Sequence, residues 1–191
     1  MEQEKKVILL AGPTASGKSK LAFRLAKNLN GEIINTDSMQ VYSEIFILTS
    51  RPTLQDTNIV KHHLYGFNSV KQKFSAGHWL KMAINNIKEQ WNLDRTPILV
   101  GGTGLYFKAL TDGLVKVPDI PNDLRTEIRE LHKKIGQKKF FSQLTKIDPL
   151  AKRFVSPSDT QRSMRAYEVK KFTNKSLFKF TKETKPNFNN N

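Results

Sequence analysis

The stretch Gly12-Pro13-Thr14-Ala15-Ser16-Gly17-Lys18-Ser19 decides the fold. It follows a short apolar run, Val7-Ile8-Leu9-Leu10-Ala11, and precedes an amphipathic stretch from Lys20 to Leu29. Strand, glycine-rich turn and helix in that order give the pattern G-x-x-x-x-G-K-[ST] its physical meaning. The glycines let the backbone turn tightly, and the helix directs free N–H groups and its positive dipole end at an anion. Lys18 offers a cation for phosphate oxygens, and Ser19 a hydroxyl for Mg²⁺. Gly12, Pro13, Thr14, Ala15, Ser16, Gly17, Lys18 and Ser19 are therefore expected to bind a diphosphate or nucleotide. Alone, such a loop suggests ATP and phosphoryl transfer.

Composition narrows the classes. A chain of 191 residues with 38% hydrophobic residues suffices for one domain, or one domain with an appendage. Cysteine is absent, which excludes disulfides, zinc-thiolate sites and thiol catalysis. The apolar run after Lys6 is too short for a signal peptide or a membrane span, so a cytoplasmic protein with no membrane partner is expected. Net charge is +15 and uneven: residues 1–124 hold 15 Lys/Arg against 11 Asp/Glu, and residues 125–191 hold 17 against 6. A cationic excess on one part of a chain points to a polyanion, with nucleic acid the first candidate.

Along the chain, Gly31 reads as the stop of the first helix, followed by a strand at Glu32 to Thr36. Asp37-Ser38-Met39-Gln40-Val41-Tyr42 comes next, and a carboxylate at a strand's carboxyl end lies in the crevice where α/β sheets bind ligands. The state of the apolar run Ile45-Phe46-Ile47-Leu48 is left open. His62-His63-Leu64-Tyr65-Gly66-Phe67 predicts a short strand and turn, and adjacent histidines on a strand point apart, which argues against a metal pair. Ser75 or Gly77 opens a helix to Trp91, with Trp79, Ala83, Ile87 and Trp91 on its apolar face. Pro97 to Val100 predicts a buried strand, ending in the turn Gly101-Gly102-Thr103-Gly104.

Beyond residue 115 the pattern is helical. Asn122 or Asp123 caps a helix to Ile135 with Gly136 as its stop, and a second helix carries Phe140, Phe141 and Leu144. A third starts at Asp148-Pro149 and a fourth runs from Thr160 to Phe172 after the Asp159 cap. On the fourth, Gln161 and Arg165 stand one turn apart with Arg162 beside them, a set suited to phosphate or base-edge contacts. The expected fold is α/β: a three-layer P-loop core with a parallel sheet over 1–115, a helical region over 116–177, and a disordered tail over 178–191.

Four motifs stand in one order: GPTASGKS, DSMQVY, GGTGLYFKAL and DTQRSMRAYEV. Together they resemble the tRNA dimethylallyltransferase (tRNA isopentenyltransferase) family over about Val7 to Leu177. The resemblance implies transfer of a dimethylallyl group from dimethylallyl diphosphate to N6 of the adenosine 3′ of the anticodon, in tRNAs reading codons that begin with U. It implies Mg²⁺ as cofactor, with Ser19 as its protein ligand, and the anticodon stem-loop of tRNA as partner of a monomer. Asp37 would be the general base and Thr103 would orient substrate. Asp37, Ser38, Met39, Gln40, Thr103, Arg125, Gln161, Arg162, Ser163, Met164 and Arg165 match tRNA-contacting positions. The chain departs from the family pattern at Met39, where Arg is typical, and at Phe46 to Pro52, where an Asp-Ile-Gly-Thr-Ala-Lys-Pro run is typical. Family members also usually run on toward three hundred residues. Two other readings stand beside this one: a shortened, catalytically weak tRNA-binding remnant, and a small-molecule P-loop kinase.

Overall fold

Short apolar runs, each leading into a turn or helix, become the strands of one parallel sheet in the computed structural model, which describes residues 5–180 and 186–188. In chain order the elements are β1 (Ile8–Ala11), α1 (Lys18–Asn28), β2 (Gly31–Asn35), α2 (Leu54–Ile59), β3 (His62–His63), α3 (Ala76–Asn92), β4 (Thr96–Gly101) and α4 (Gly104–Thr111). Four helices follow: α5 (Asn122–Ile147), α6 (Ala151–Phe154), α7 (Thr160–Thr173) and α8 (Leu177–Phe180). The chain divides into two compact units, Met1–Gly113 with Pro186–Asn191, and Leu114–Lys185.

In the first unit the strand order is β1-β4-β2-β3, all parallel. Parallel neighbours need crossovers, and α1 and α3 supply them. Ala22 and Ala26 of α1 are small enough to bring the helix down on Ile33, Ile98 and Val100. Ile34 and Leu99 sit on the alternate positions and so face the other side, where α3 packs on β2 and β4. There Trp79 is fully buried, its indole stacked on Tyr106 at 4.3 Å, and its Nε1–H donates to the Asn35 carbonyl at 2.8 Å. The register pairs Ala11 with Gly101 and Asn35 with Val100, so three strands finish side by side. That shared edge is where the candidate site forms.

Several expectations shift in detail. Helix α1 starts at Lys18, two residues early, and its stop is Asn30 at φ 49 rather than Gly31. Gly31 instead begins β2, where a β-carbon would lie 2.7 Å from the Thr96 carbonyl oxygen. On α3 the last buried position is Gln90, not Trp91, because three residues beyond Ile87 fits the 3.6-residue period as well as four does. Trp91 is half-buried, and its Nε1–H donates to the Lys6 carbonyl at 2.9 Å. The Gly101–Gly104 turn runs directly into α4, a helix the sequence reading did not anticipate. Ile45 to Leu48 form turn, with Ile47 and Leu48 each 86% exposed, and the Phe46 ring lies 4.8 Å under the Arg51 guanidinium.

The second unit is helical in all its regular elements among the described residues. Gly136, at φ 75 and ψ 162, breaks α5 into the two expected helices. Pro121, not Asn122 or Asp123, precedes the first helical residue, so α5 has no side-chain cap. The third helix is the single turn α6, and α7 is capped by the Asp159 carboxylate accepting from the Arg162 N–H at 2.9 Å. Leu144, Ala151, Val155 and Ala166 form its core. Part of the stretch expected to be a disordered tail has structure: α8 is a helical turn, and the Asn187 amide donates to the carbonyls of Ala109 and Leu110. Residues 181–185 and 189–191 lie outside the described residues.

Trp79→Ala removes a fully buried indole and orphans the Asn35 carbonyl, so we expect it to lower unfolding free energy by about 3–5 kcal/mol in urea titration. A loss under about 1 kcal/mol would show that this layer is loosely packed. The Glu44 carboxylate, held by the hydroxyls of Ser69 and Ser43 and then the Val70 N–H, sits at about 2 against an ordinary 4.5. Its folded value is depressed, so this staple is intact above pH 4.5 and is lost as pH falls toward 2. The Val70 amide resonance should shift across that window, and Glu44→Gln should abolish the shift.

Candidate active site

The phosphate loop takes its shape from two left-handed residues, Ala15 at φ 62 and Gly17 at φ 80, the latter being the residue that opens α1. The loop is exposed to solvent, and its backbone N–H groups at the start of α1 carry the positive end of the helix dipole. Lys18 folds back across the loop: its ammonium donates to the Pro13 carbonyl and, at 3.3 Å, to the Ser16 hydroxyl. The cation is thus held at the mouth of the loop. Ser19 projects from the first turn of α1 with its surface exposed.

Strand β4 ends against β2. A β-carbon on Gly101 would lie 2.1 Å from both the carbonyl carbon and oxygen of Thr36, a separation that no side chain allows. The Thr103 N–H then donates to the Thr36 carbonyl at 3.2 Å, and the Ser38 N–H donates to the Thr103 hydroxyl at 2.9 Å. The Thr103 hydroxyl in turn donates to the Ser38 hydroxyl at 3.3 Å. These bonds fix Asp37 between two stapled residues. A β-carbon on Gly102 would lie 3.4 Å from the Gly12 carbonyl oxygen and 3.9 Å from Oδ2 of Asp37. The phosphate loop and the Asp37 carboxylate therefore approach the same point beside this glycine.

Asp37 is half-buried, and its Oδ1 accepts the Met39 N–H at 2.9 Å. Two phenols sense its charge. Burial, and then the Asp37 carboxylate, raises the Tyr65 hydroxyl above its ordinary value. Burial, with Tyr42 and Asp37 adding to it, pushes Tyr106 up to about 12. Both tyrosines stay protonated donors at neutral pH. Sequence reasoning missed them, as it missed Asn35; the visible signal was an asparagine directly after the apolar pair Ile33-Ile34 at the end of β2. Gln40 is tied to the segment that follows, its amide donating to the Thr49 carbonyl at 2.7 Å, and Met39 is 53% exposed.

Next to the phosphate loop, Ser19, Lys20, Arg51, Asp56 and His62 line a cavity of about 310 Å³. Burial lowers the His62 imidazole, and its Nδ1 lies 2.7 Å from the Val60 carbonyl oxygen. His63 points away as expected, its Nε2 2.5 Å from the buried Glu32 carboxylate, which also pairs with Arg95. Among the described residues no cluster of three His, Asp or Glu side chains could hold a metal. A hydroxyl such as Ser19 with phosphate oxygens and water is the hard-oxygen set that suits Mg²⁺.

The second unit carries the other predicted residues. Gln161 and Arg162 are exposed at the start of α7, Arg162 by 75%, and Arg165 is half-exposed. Arg165 is aimed by Glu168, which is buried and lies 3.5 Å from its guanidinium. Ser163, read as a contact, is fully buried, and its hydroxyl accepts from Gln137 at 3.1 Å. It supports the polar face from behind, because the position two residues after Gln161 falls on the opposite side of a helix. Met164 is partly buried. Arg125, on the first turn of α5, is partly buried with its Nε lacking a hydrogen-bond partner.

The sequence pattern of the IPP transferase family matches residues 40–191. A tRNA dimethylallyltransferase of Pelagibacter ubique is 52% identical over 189 residues, covering 99% of this chain and 60% of that protein. Its counterpart in Rickettsia massiliae is 50% identical over 93% of this chain and 49% of its own length. Among solved structures, a eukaryotic dimethylallyltransferase acting on tRNA superposes with a TM-score of 0.80 at 31% identity, over 95% of this chain and 45% of that one. The full-length tRNA isopentenylpyrophosphate transferase of Bacillus halodurans gives 0.58 at 36% identity, over 89% and 56%. The chain thus spans about half to three-fifths of the length of these proteins. The family pattern over residues 40–191 and relatives identical at half of their aligned positions place this chain in the IPP transferase family.

Proposed function

We propose that this chain transfers a dimethylallyl group from dimethylallyl diphosphate to N6 of the adenosine immediately 3′ of the anticodon, in tRNAs that read U-initial codons. The observation that carries the reading is that a phosphate-loop carbonyl and the Asp37 carboxylate both come within 4 Å of the β-carbon position of Gly102. The reaction needs a site for a diphosphate leaving group and an acceptor for an amine proton within one crevice. The loop amides and Lys18 hold the diphosphate and stabilise its charge as the carbon–oxygen bond breaks. As the new carbon–nitrogen bond forms, Asp37 takes the proton that N6 gives up. Ser19 would supply the protein ligand for Mg²⁺, which would add to the neutralisation of that charge.

Thr103 holds Ser38 and the turn after Asp37, so it acts on the alignment of the base as well as on the substrate it faces. Ser38, Met39 and Gln40 lie beside Asp37 and contact the target nucleotide in this reading. The adenosine reaches this crevice only by leaving the stack of its loop, at a cost of a few kcal/mol. Arg125, Gln161, Arg162 and Arg165 bind the stem-loop backbone, with Glu168 holding Arg165 in place and the basic excess of residues 125–191 supplying salt-dependent affinity.

The chain incubated with dimethylallyl diphosphate, MgCl₂ and an anticodon stem-loop should yield RNA heavier by one C₅H₈ unit at that adenosine, read by mass spectrometry. Binding without product would leave an RNA-binding protein of this family and overturn the transferase reading. ATP-dependent phosphorylation of a small substrate would favour a kinase instead. In a working enzyme, Asp37→Asn should lower turnover by roughly 10²–10⁴-fold, the range of a lost proton acceptor. Turnover within a few-fold of the parent would remove Asp37 as the base. Replacing Arg162 with Ala should reduce the slope of log affinity against log salt by about 1, and an unchanged slope would take Arg162 out of the phosphate-binding face.

A further inference from the structure

Asn35 ends β2 after Ile33 and Ile34, and none of its surface is exposed. A buried amide has to be satisfied, and here two of its three side-chain bonds close on the backbone of Asp37. Its Oδ1 accepts the Asp37 N–H at 2.8 Å, and its Nδ2 donates to the Asp37 carbonyl at 2.9 Å. The second proton of Nδ2 goes to the Leu64 carbonyl at 2.9 Å, and the Asn35 carbonyl accepts from the Trp79 indole. One side chain therefore grips both backbone polar groups of Asp37 and anchors them to the turn after β3. With the backbone fixed, the Asp37 carboxylate is fixed in turn by the Met39 N–H on Oδ1. Among the described residues Oδ2 has no hydrogen-bonding protein partner, and it is the oxygen on the Gly102 side.

We propose that Asn35 is the positioning residue that aims Oδ2 of Asp37 into the crevice, so that this oxygen, and not Oδ1, receives the proton from N6. This rests on the reading of Asp37 as the base. The Asn35 amide is fully buried with its bonds taken by backbone groups, so it works through the carboxylate two residues on. A simple structural role predicts a cost set by the volume lost, whereas a positioning role predicts a cost set by the bond to the Asp37 N–H.

Asn35→Ala and Asn35→Ser in the full chain separate the two. They leave nearly equal cavities, but a serine hydroxyl still accepts from the N–H two residues on, as in the turns that Ser and Asn both form. The Ala variant should lose roughly 30–100-fold in kcat, the scale of an ångström of misplacement, with KM for dimethylallyl diphosphate within about twofold, since the phosphate loop is untouched. The Ser variant should stay within about fivefold of the parent in kcat. Equal losses in the two variants, or a loss carried by KM, would overturn the proposal. Hydrogen exchange at the Asp37 amide gives a readout independent of turnover: protection in the parent and the Ser variant, and its loss in the Ala variant. Persistent protection in Ala overturns the proposal even if the parent shows no transferase activity, an outcome that separately defeats the functional reading. Should the Ala variant fail to fold, Asn35→Leu refills the volume without the bond and carries the same expectations.

Discussion

The approach of β4 to the end of β2 at Gly101 is the constraint on which the site depends. With no room for a β-carbon there, the two strand ends run in backbone contact, and the residues just beyond them are brought into bonding range of one another. Thr103 then reaches Thr36 and Ser38, and Gly102 comes close to both the Gly12 carbonyl and the Asp37 carboxylate. None of these pairs is close in sequence. Parallel pairing with aligned carboxyl ends turns three separate turns into a single crevice, which is why ligands of open α/β sheets gather there.

Within that crevice the work divides between charge and alignment. The phosphate loop is exposed and polar, and it presents amides, a helix dipole end and one ammonium, the groups that favour an anion. The Asp37 side is half-buried and held by hydrogen bonds from uncharged groups of Asn35, Met39 and the Thr103–Ser38 pair. Such bonds contribute about 1 kcal/mol each to stability, yet together they leave the carboxylate one way to point. Tyr65 and Tyr106 remain protonated beside it and so add no competing charge. On the second unit, the α7 face follows the same economy, with buried Glu168 and Ser163 behind exposed Gln161 and Arg162.

Features set by local chemistry were legible in the sequence. The phosphate loop, the Asp159 and Ser75 caps, the Gly136 break and the divergence of His62 and His63 each depend on a few neighbouring residues. Features set by long-range approach were not. Gly31 reads as a helix stop because glycine often is one, but its reason is the Thr96 carbonyl on another strand. Ser163 looks like part of a polar cluster until it is seen to be buried and bonded to Gln137 on a different helix. Asn35 resembles a strand-end polar residue, and only the position of Leu64 and Trp79 shows that all its bonds are internal.

The central claim is that the Gly101 contact aligns a leaving-group site with a base. Gly101→Ala tests it most directly, because the added methyl must part β4 from β2 while leaving the phosphate loop's own residues unchanged. The measurement is the single-turnover rate of prenyl transfer, with the affinity for an unreactive diphosphate analogue read in parallel. The account predicts a rate lower by about 10²-fold or more in folded protein, with affinity changed by less than about threefold. A rate near that of the parent would contradict it, because the crevice would then be aligned by something other than this contact.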